Sequence, residues 1–220
     1  MASDPIGDPR HLWAVLGGSG ADPSLLRIDA AERRPIELIP IDVAISSLAI
    51  NPVTGLMYGA KASTLYSIDP NAAELTAIGT TPVWVDEALG FDRAGVLYGT
   101  GASARGLVRV DLHTAATEIV NGAETLEAID LAADPATGDW FASDIHGDLR
   151  RVVIAEDGTA VVSDLGRTRF NRGTGLAFAV VPEPSAILLT VLILAAVMGD
   201  RRPARGAAAA RSQEAKCGQP

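Results

Sequence analysis

The sequence contains few of the residues on which disulfide-stabilised domains and many enzymes depend. Among its 220 residues there is one cysteine, Cys217, so no disulfide can form within the chain. Aromatic residues make up 5% of the chain and apolar residues 48%, so a core must be built mainly from Ala, Val, Leu and Ile. The Gly-Xaa-Ser-Xaa-Gly, P-loop and His-Glu-Xaa-Xaa-His patterns do not occur. The sequence therefore offers none of the motifs for nucleophilic, phosphate-binding or zinc chemistry.

Basic residues are in the minority, and they are unevenly placed. The formal net charge is −9, yet the tail beyond Gly199 has more Arg and Lys than Asp and Glu. The body before the tail is therefore strongly acidic. Nucleic-acid binding requires a basic surface that meets the phosphates. We therefore do not expect a nucleic-acid partner.

Three segments of the body share one pattern. Each has an apolar strand, a turn that begins at Asn or Asp and ends at Gly, and a second strand that carries an aromatic residue. The segments are residues 48–59, 89–99 and 131–142. The glycines Gly55, Gly95 and Gly138 are separated by 40 and then 43 residues. This regular spacing indicates an internal repeat.

Two further short strands follow each of these segments. Their apolar and polar residues alternate, as expected of half-buried strands. The predicted strands are 64–69 and 75–79, 107–111 and 117–120, and 149–153 and 160–163. Four short antiparallel strands in each repeat of about 40–45 residues are typical of a β-propeller blade.

The two ends of the body complete the predicted ring. Residues 12–41 supply three strands of a further blade, in which Trp13 takes the place of Tyr58. The missing innermost strand is predicted at 174–180. Pairing that last strand with the first blade would leave no inner edge unpaired.

The predicted fold is therefore an all-β propeller of about four four-stranded blades over residues 12–180, preceded by an N-terminal segment, residues 1–11. In the closing strand, Leu176 matches Leu48, Leu89 and Leu131 of the other innermost strands. The alternative is a partial propeller, in which a truncated gene start has removed earlier blades.

A proline-punctuated segment separates the body from a long apolar run. Pro182 and Pro184 cannot donate backbone hydrogen bonds, so the final strand must stop there. Residues 186–199 are almost uniformly apolar, and a helix that is apolar on all faces lies in lipid or deep in a core. At the helical rise per residue, the 15 residues from Ser185 to Gly199 are about 22 Å long, short of the hydrocarbon thickness of roughly 30 Å. The run could span a membrane with Arg201 and Arg202 reaching to the interface.

The order of these features resembles the PEP-CTERM sorting signal of bacterial surface proteins. The resemblance covers residues 181–202, and it implies recognition of Pro182, Glu183 and Pro184 by an exosortase, an integral-membrane cysteine-type transpeptidase. It also implies a bacterial cell-envelope location, with the body outside the membrane.

The same resemblance assigns roles to the residues that follow the tripeptide. Residues 186–199 would be a transmembrane helix that anchors the chain before processing, and Arg201 and Arg202 would be the membrane stop. Residues 203–220 are expected to form a disordered basic tail. Two features depart from the family pattern: the apolar run is short, and the tail is longer than the few basic residues that are usual.

The N-terminus does not carry a visible export signal. Residues 1–20 lack a basic n-region, and Leu12–Leu16 is far shorter than an h-region of roughly 7–15 residues. A PEP-CTERM signal presumes export. We therefore expect the natural start of the protein to lie upstream of Met1.

The best candidates for a binding site are polar residues at the predicted mouth of the propeller channel. They are Asp86, Glu87, Glu127, Asp130 and Asn171. Propeller lactonases hold a divalent cation with a similar ring, and oxygen ligands suit calcium. A calcium-dependent hydrolase or lactonase is therefore one alternative, and solvated loop acids are the other. The preferred hypothesis is a non-enzymatic binding or matrix module without a cofactor, whose partner is a polysaccharide or another matrix component.

Overall fold

The computed structural model describes residues 2–3, 8, 10–18, 21–101, 104–168, 176, 178–179 and 190–191. These residues form strands, turns and connections, and no helix occurs among them. Within these ranges there is accordingly no helical segment with the length and apolar character that crossing a membrane requires.

Four antiparallel sheets follow one another along the chain, and each contains four consecutive strands. Blade A comprises β1 (Ala2–Ser3), β2 (His11–Gly18), β3 (Ala21–Asp29) and β4 (Arg34–Pro40). Blade B comprises β5 (Ser47–Ile50), β6 (Met57–Lys61), β7 (Thr64–Asp69) and β8 (Glu74–Thr80). Blade C comprises β9 (Ala88–Phe91), β10 (Leu97–Gly101), β11 (Ala104–Val110) and β12 (Thr117–Ile119). Blade D comprises β13 (Asp130–Ala133), β14 (Trp140–Ser143), β15 (Asp148–Ile154) and β16 (Ala160–Arg167).

The predicted all-β architecture of four propeller blades is confirmed. The innermost strands β1, β5, β9 and β13 contact one another in that order. Two short strands lie outside the four sheets: β17 (Phe178–Ala179) pairs antiparallel with β18 (Thr190–Val191).

The turn chemistry predicted for the inner hairpins is also confirmed. In blade C, Oδ1 of Asp92 accepts hydrogen bonds from the backbone N–H groups of Ala94 and Val96, both within 2.9 Å. Gly95 closes this turn with a φ of 81°, a left-handed conformation that glycine adopts without steric cost. Asn51 with Gly55, and Asp134 with Gly138, repeat the arrangement.

Apolar side chains between successive blades form the core. Cross-strand partners share a face of a sheet, so apolar residues of neighbouring strands form a continuous surface that can pack against the next blade. Tyr58 of blade B packs against Phe91 of blade C, with ring centroids 5.4 Å apart. Tyr98 of blade C packs edge-on against Trp140 of blade D at 5.2 Å. Three clusters of buried side chains fill the contacts from A to B, B to C and C to D.

Hydrogen bonds reinforce the contacts between blades. At one end of the innermost strands, the Thr100 hydroxyl donates to the Ala128 carbonyl oxygen at 2.7 Å. At the opposite end, Nη1 of Arg93 donates to the Ala136 carbonyl oxygen at 3.1 Å. Each bond crosses from blade C to blade D or to the connection that leads into it, so the two sheets are held at both ends.

One part of the closure prediction was wrong. The innermost strand of blade A is β1, where Ala2 pairs with Trp13, and not the predicted segment 174–180. A two-residue strand has no periodicity that sequence analysis could detect. Leu176 does lie where its match to the other leucines predicts, because it lines the same axial cavity as Leu48, Leu89 and Leu131.

The predicted transmembrane helix is not confirmed. Of residues 186–199 the structure describes Thr190 and Val191, and these form strand β18. Pro182, Glu183, Pro184, Arg201, Arg202 and the tail 203–220 lie outside the described residues.

Candidate functional site

The predicted channel-mouth residue Asp86 has a structural role, because it forms a hydrogen bond to the backbone of the preceding blade. Its Oδ2 atom accepts a hydrogen bond from the backbone N–H of Ala62 at 3.0 Å. Ala62 lies in the two-residue turn between β6 and β7 and has a φ of 52°. Asp86 therefore stabilises a strained turn of the preceding blade.

Asp130 is buried and also bonds to backbone groups. Its Oδ1 accepts a hydrogen bond from the Leu131 N–H at 2.9 Å, and its Oδ2 accepts one from the Leu176 N–H. This carboxylate joins the start of blade D to the segment that approaches the axis after it. Asn171, the fifth predicted residue, lies outside the described residues.

Glu87 and Glu127 do come together, at a cavity of about 520 Å³ that we call the acidic cavity. It forms where the β10–β11 hairpin of blade C, the connection from β12 to β13 and the β14–β15 turn of blade D meet. Glu87 immediately precedes β9, and Glu127 lies in the connection before β13. Sequence analysis thus found two of its acidic residues.

Two further carboxylates of the acidic cavity were missed. Glu124 comes from the same connection as Glu127, and Asp144 comes from the β14–β15 turn. Both lie away from the innermost strands, so the repeat pattern does not mark their positions. The density of acids in the connection was a signal that could have identified Glu124. Leu126, Ile129 and Ile145 supply apolar lining.

Glu87 and Glu124 of the cavity differ in their surroundings, and their pKa values are shifted in opposite directions. Burial raises the pKa of Glu87, and the negative charges of Asp86 and Glu127 add to that increase. Glu124 accepts a hydrogen bond from the Gly122 N–H at 3.0 Å, and backbone hydrogen bonds lower its pKa. The cavity therefore combines repelling carboxylates with at least one that is fixed by the backbone.

Asp144 is the buried carboxylate of the group. Its Oδ1 accepts hydrogen bonds from the backbone N–H groups of His146 and Asp148, at 2.8 and 2.9 Å. Its Oδ2 lies 3.6 Å from Nη2 of Arg150. These contacts fix one wall of the cavity.

The arrangement suits hydrogen-bond acceptance better than metal coordination. Within the part of the chain that the structure describes, no group of three His, Cys, Asp or Glu side chains could hold a metal ion. Asp86 and Asp130 are not among the residues that line the acidic cavity, and each of them accepts a backbone N–H group. The cavity can instead accept hydrogen bonds from a ligand that carries hydroxyl or amino groups.

The propeller axis has a different lining. Leu48, Leu89, Leu131 and Leu176 border an axial cavity of about 90 Å³. Such a cavity is much smaller than typical ligand pockets of roughly 300–1,000 Å³. The acidic cavity is therefore the better candidate site among the described residues.

Comparisons with known proteins show the fold but no family. No family model and no curated protein matches the chain. A solved structural-genomics protein of unknown function from Bacteroides thetaiotaomicron is 13% identical with a TM-score of 0.57, covering 80% of this chain and 52% of that one. Hydrazine synthase from Kuenenia stuttgartiensis is 12% identical with a TM-score of 0.51, covering 80% and 49%.

A chain of a nidogen/laminin complex is also similar. It is 17% identical with a TM-score of 0.52, covering 76% of this chain and 65% of that one. At such identities the similarity establishes the propeller-like arrangement alone, since one fold supports many functions. This chain spans about half the length of the first two structures.

Proposed function

We propose that this protein is a bacterial surface protein whose propeller body is a binding module. The proposal that the body binds a ligand is based on the acidic cavity. Its size is within the range of ligand pockets, and it combines apolar walls with a few fixed polar groups. Because carboxylates accept hydrogen bonds from hydroxyl groups, a polysaccharide or another hydroxyl-rich matrix component fits the site.

The binding proposal is tested with a soluble matrix polysaccharide and the full chain. Replacing Glu127 with Gln removes a negative acceptor from the cavity while keeping the size of the side chain. A charged hydrogen bond contributes about 1.5 kcal/mol or more, so we expect roughly tenfold weaker binding. Glu156→Gln, at an exposed acid in the β15–β16 turn of blade D, is the matched control and should bind like the wild type. Equal binding by Glu127→Gln and wild type would reject the acidic cavity as the site.

The proposal that the protein is sorted to the cell surface is based on its sequence alone. Pro182-Glu183-Pro184, the apolar run 186–199 and Arg201–Arg202 follow one another in the order of a PEP-CTERM signal. In this proposal an exosortase-type transpeptidase recognises the tripeptide, the run anchors the chain in the membrane before processing, and the body faces outward. Alanine replacement of the tripeptide should leave the chain in the membrane fraction of a cell that contains an exosortase. Unchanged release would reject this role.

A further inference from the structure

Arg150 lies on the face of blade D that packs toward blade C. On β15 it pairs with Ala142 of β14 and with Asp164 of β16. Val152 lies two residues further along β15, so it points to the same side of the sheet, and it is fully buried in the cluster between blades C and D. The side chain of Arg150 is 24% exposed. Most of this long side chain is therefore enclosed where the two blades meet.

The guanidinium group of Arg150 contacts three parts of the chain. Its Nη1 atom donates a hydrogen bond to the carbonyl oxygen of Glu127 at 3.3 Å. Its Nη2 atom lies 3.6 Å from Oδ2 of Asp144, and its Nε atom donates to Oδ1 of Asp164 at 3.3 Å. A guanidinium is planar and its donors have fixed relative positions, so it can make these contacts together. One side chain thus joins the connection before β13, the β14–β15 turn and strand β16.

Two of these contacts are with different walls of the acidic cavity. Glu127, in the connection, and Asp144, in the β14–β15 turn, both line the cavity, and Arg150 does not. Arg150 therefore joins the two walls from outside the cavity. It can affect a ligand only indirectly, through the positions of Glu127 and Asp144.

The connection between β12 and β13 is also anchored to blade C. The carbonyl oxygen of Ala123 accepts a backbone hydrogen bond from β11 at 3.1 Å, and that of Ala128 accepts one from a side chain of β10 at 2.7 Å. Between these anchors, Leu126 packs into the core. Arg150 adds a bond from blade D to this same segment, at Glu127. The connection is thus held from both blades.

Repulsion between carboxylates acts against this arrangement. Burial raises the pKa of Glu87, and the charges of Asp86 and Glu127 raise it further, so Glu127 lies close enough to Glu87 to repel it. That repulsion tends to move the connection away from Glu87. The positive charge of Arg150 opposes the movement, because it attracts both the Glu127 carbonyl oxygen and the Asp144 carboxylate.

We propose that Arg150 is a positioning residue of the acidic cavity. It holds the connection that carries Glu124 and Glu127 beside the β14–β15 turn, so that the cavity keeps the shape in which it binds a ligand. This inference rests on the binding function proposed above, and it adds a residue that acts on the ligand without touching it. Removal of the guanidinium should therefore loosen the connection and weaken binding together.

Two measurements on the full chain test this proposal. Hydrogen–deuterium exchange of the segment 121–129, followed by mass spectrometry, reports the opening of the connection, in which the Leu126 N–H is bonded to the Ala123 carbonyl oxygen. Titration with a glucosamine hexamer, which carries hydroxyl and amino groups, reports ligand binding. Because loss of a hydrogen bond from a charged donor changes such equilibria roughly tenfold, we expect Arg150→Met to exchange this segment about tenfold faster and to bind the hexamer about tenfold more weakly.

Arg151→Met is the matched control. Arg151 lies next to Arg150 on β15 but on the opposite face, and its Nη2 atom lies 2.6 Å from Oδ2 of Asp139. This variant removes an ion pair from the same strand without changing a contact of the acidic cavity. Its exchange at 121–129 and its binding should match the wild type.

Arg150→Lys separates the role of the guanidinium from that of its charge. An ammonium group keeps the charge and lacks the planar set of donors, so this variant should give intermediate values in both measurements. Should Arg150→Met not fold, Arg150→Lys is compared with Arg151→Lys instead. Equal exchange and equal binding in those two variants would overturn the proposal.

The opposing results identify different failures. Unchanged exchange at 121–129 in Arg150→Met would show that Arg150 does not hold the connection, and faster exchange with unchanged binding would show that the held position does not serve the ligand. Either result overturns the proposal. If the wild type itself did not bind the hexamer, the proposed binding function would fail for this ligand, and the exchange measurement alone would decide whether Arg150 holds the connection.

Discussion

Trp140 of blade D occupies the space that Gly90 of blade C leaves open. A Cβ atom on Gly90 would lie 2.5 Å from Cζ3 of Trp140, far inside van der Waals contact. Trp140 is 1% exposed and also packs against Tyr98, so the ring cannot yield to an added atom by turning into solvent. The equivalent innermost-strand positions in the neighbouring blades are Ala49 and Ala132, and Gly90 is the position that faces the large indole.

We therefore expect Gly90→Ala to destabilise the body by about 1 to 3 kcal/mol through overpacking. Chemical denaturation of the full chain would measure the loss. The loss caused by Gly90→Ala should be smaller when it is measured in a Trp140→Phe background, because the smaller ring leaves room for the added methyl group. If Gly90→Ala were as stable as the wild type, the described packing of blades C and D would be wrong.

Asp130 is predicted to contribute to stability because it accepts two backbone N–H groups while buried. In Asp130→Asn, the amide NH₂ would face either the Leu131 or the Leu176 N–H and leave it without an acceptor. An unsatisfied buried donor costs about 1 to 3 kcal/mol. Urea titration would show this loss. Ser47→Ala, at the equivalent position of blade B, is the matched control and should cost less, since its hydroxyl makes one long bond of 3.5 Å to the Val85 carbonyl oxygen. Equal losses in the two variants would contradict the role of Asp130.

The repeat could be predicted from the sequence because its signals are local. The alternation of apolar residues and the Asx–Gly turns specify strands and hairpins within a few residues, and Asp92 with Gly95 forms the turn that the sequence indicates. Strand β1 could not be predicted, since two residues carry no period. Its pairing with β2 comes from tertiary contacts.

Only part of the candidate site could be predicted from the sequence, because some of its contacts join residues that are distant along the chain. Glu87 and Glu127 precede innermost strands, so their approach follows from the repeat. The partners of Asp86 and Asp130 are backbone N–H groups of Ala62 and Leu176, 24 and 46 residues away. No sequence pattern marks which backbone groups remain unpaired at a blade end.

Glu87 is predicted to make stability depend on pH. Its folded-state pKa is raised by burial and by the charges of Asp86 and Glu127, so the folded state favours the protonated form. Such a group favours folding below the ordinary glutamate pKa of about 4.3, and this contribution is lost as the pH rises through the folded-state pKa. Glu87→Gln should therefore melt at a higher temperature than the wild type at pH 7, and the difference should shrink toward pH 4.

A thermal-melting series from pH 4 to pH 8 would check this expectation. Glu74→Gln, at an exposed residue on β8, serves as the comparison and should show no such pH-dependent gain. A lower melting temperature for Glu87→Gln at pH 7 would mean that the carboxylate is stabilised in the cavity, against the predicted sign.

Ala73 is a site where a glycine should stabilise the body. It closes the β7–β8 turn with a φ of 56°, in the left-handed region that costs an L-residue about 1 kcal/mol. Ala73→Gly should relieve that strain, with a net gain of about 0.5 kcal/mol after the entropy of the unfolded glycine is subtracted. Ala72→Gly has no left-handed conformation to relieve and should lose about 0.4 to 1 kcal/mol. Calorimetry of both variants would compare them, and the opposite order would contradict the turn geometry.

The central proposal is that this propeller body reaches the cell surface through the sorting signal proposed at residues 181–202. Its most direct test is mass spectrometry of the C-terminus of the chain recovered from the surface of a bacterium that contains an exosortase. The account predicts that the recovered chain ends at or beside Pro182–Pro184 and has lost the apolar run. A surface chain that still carries residues 186–202 would contradict it.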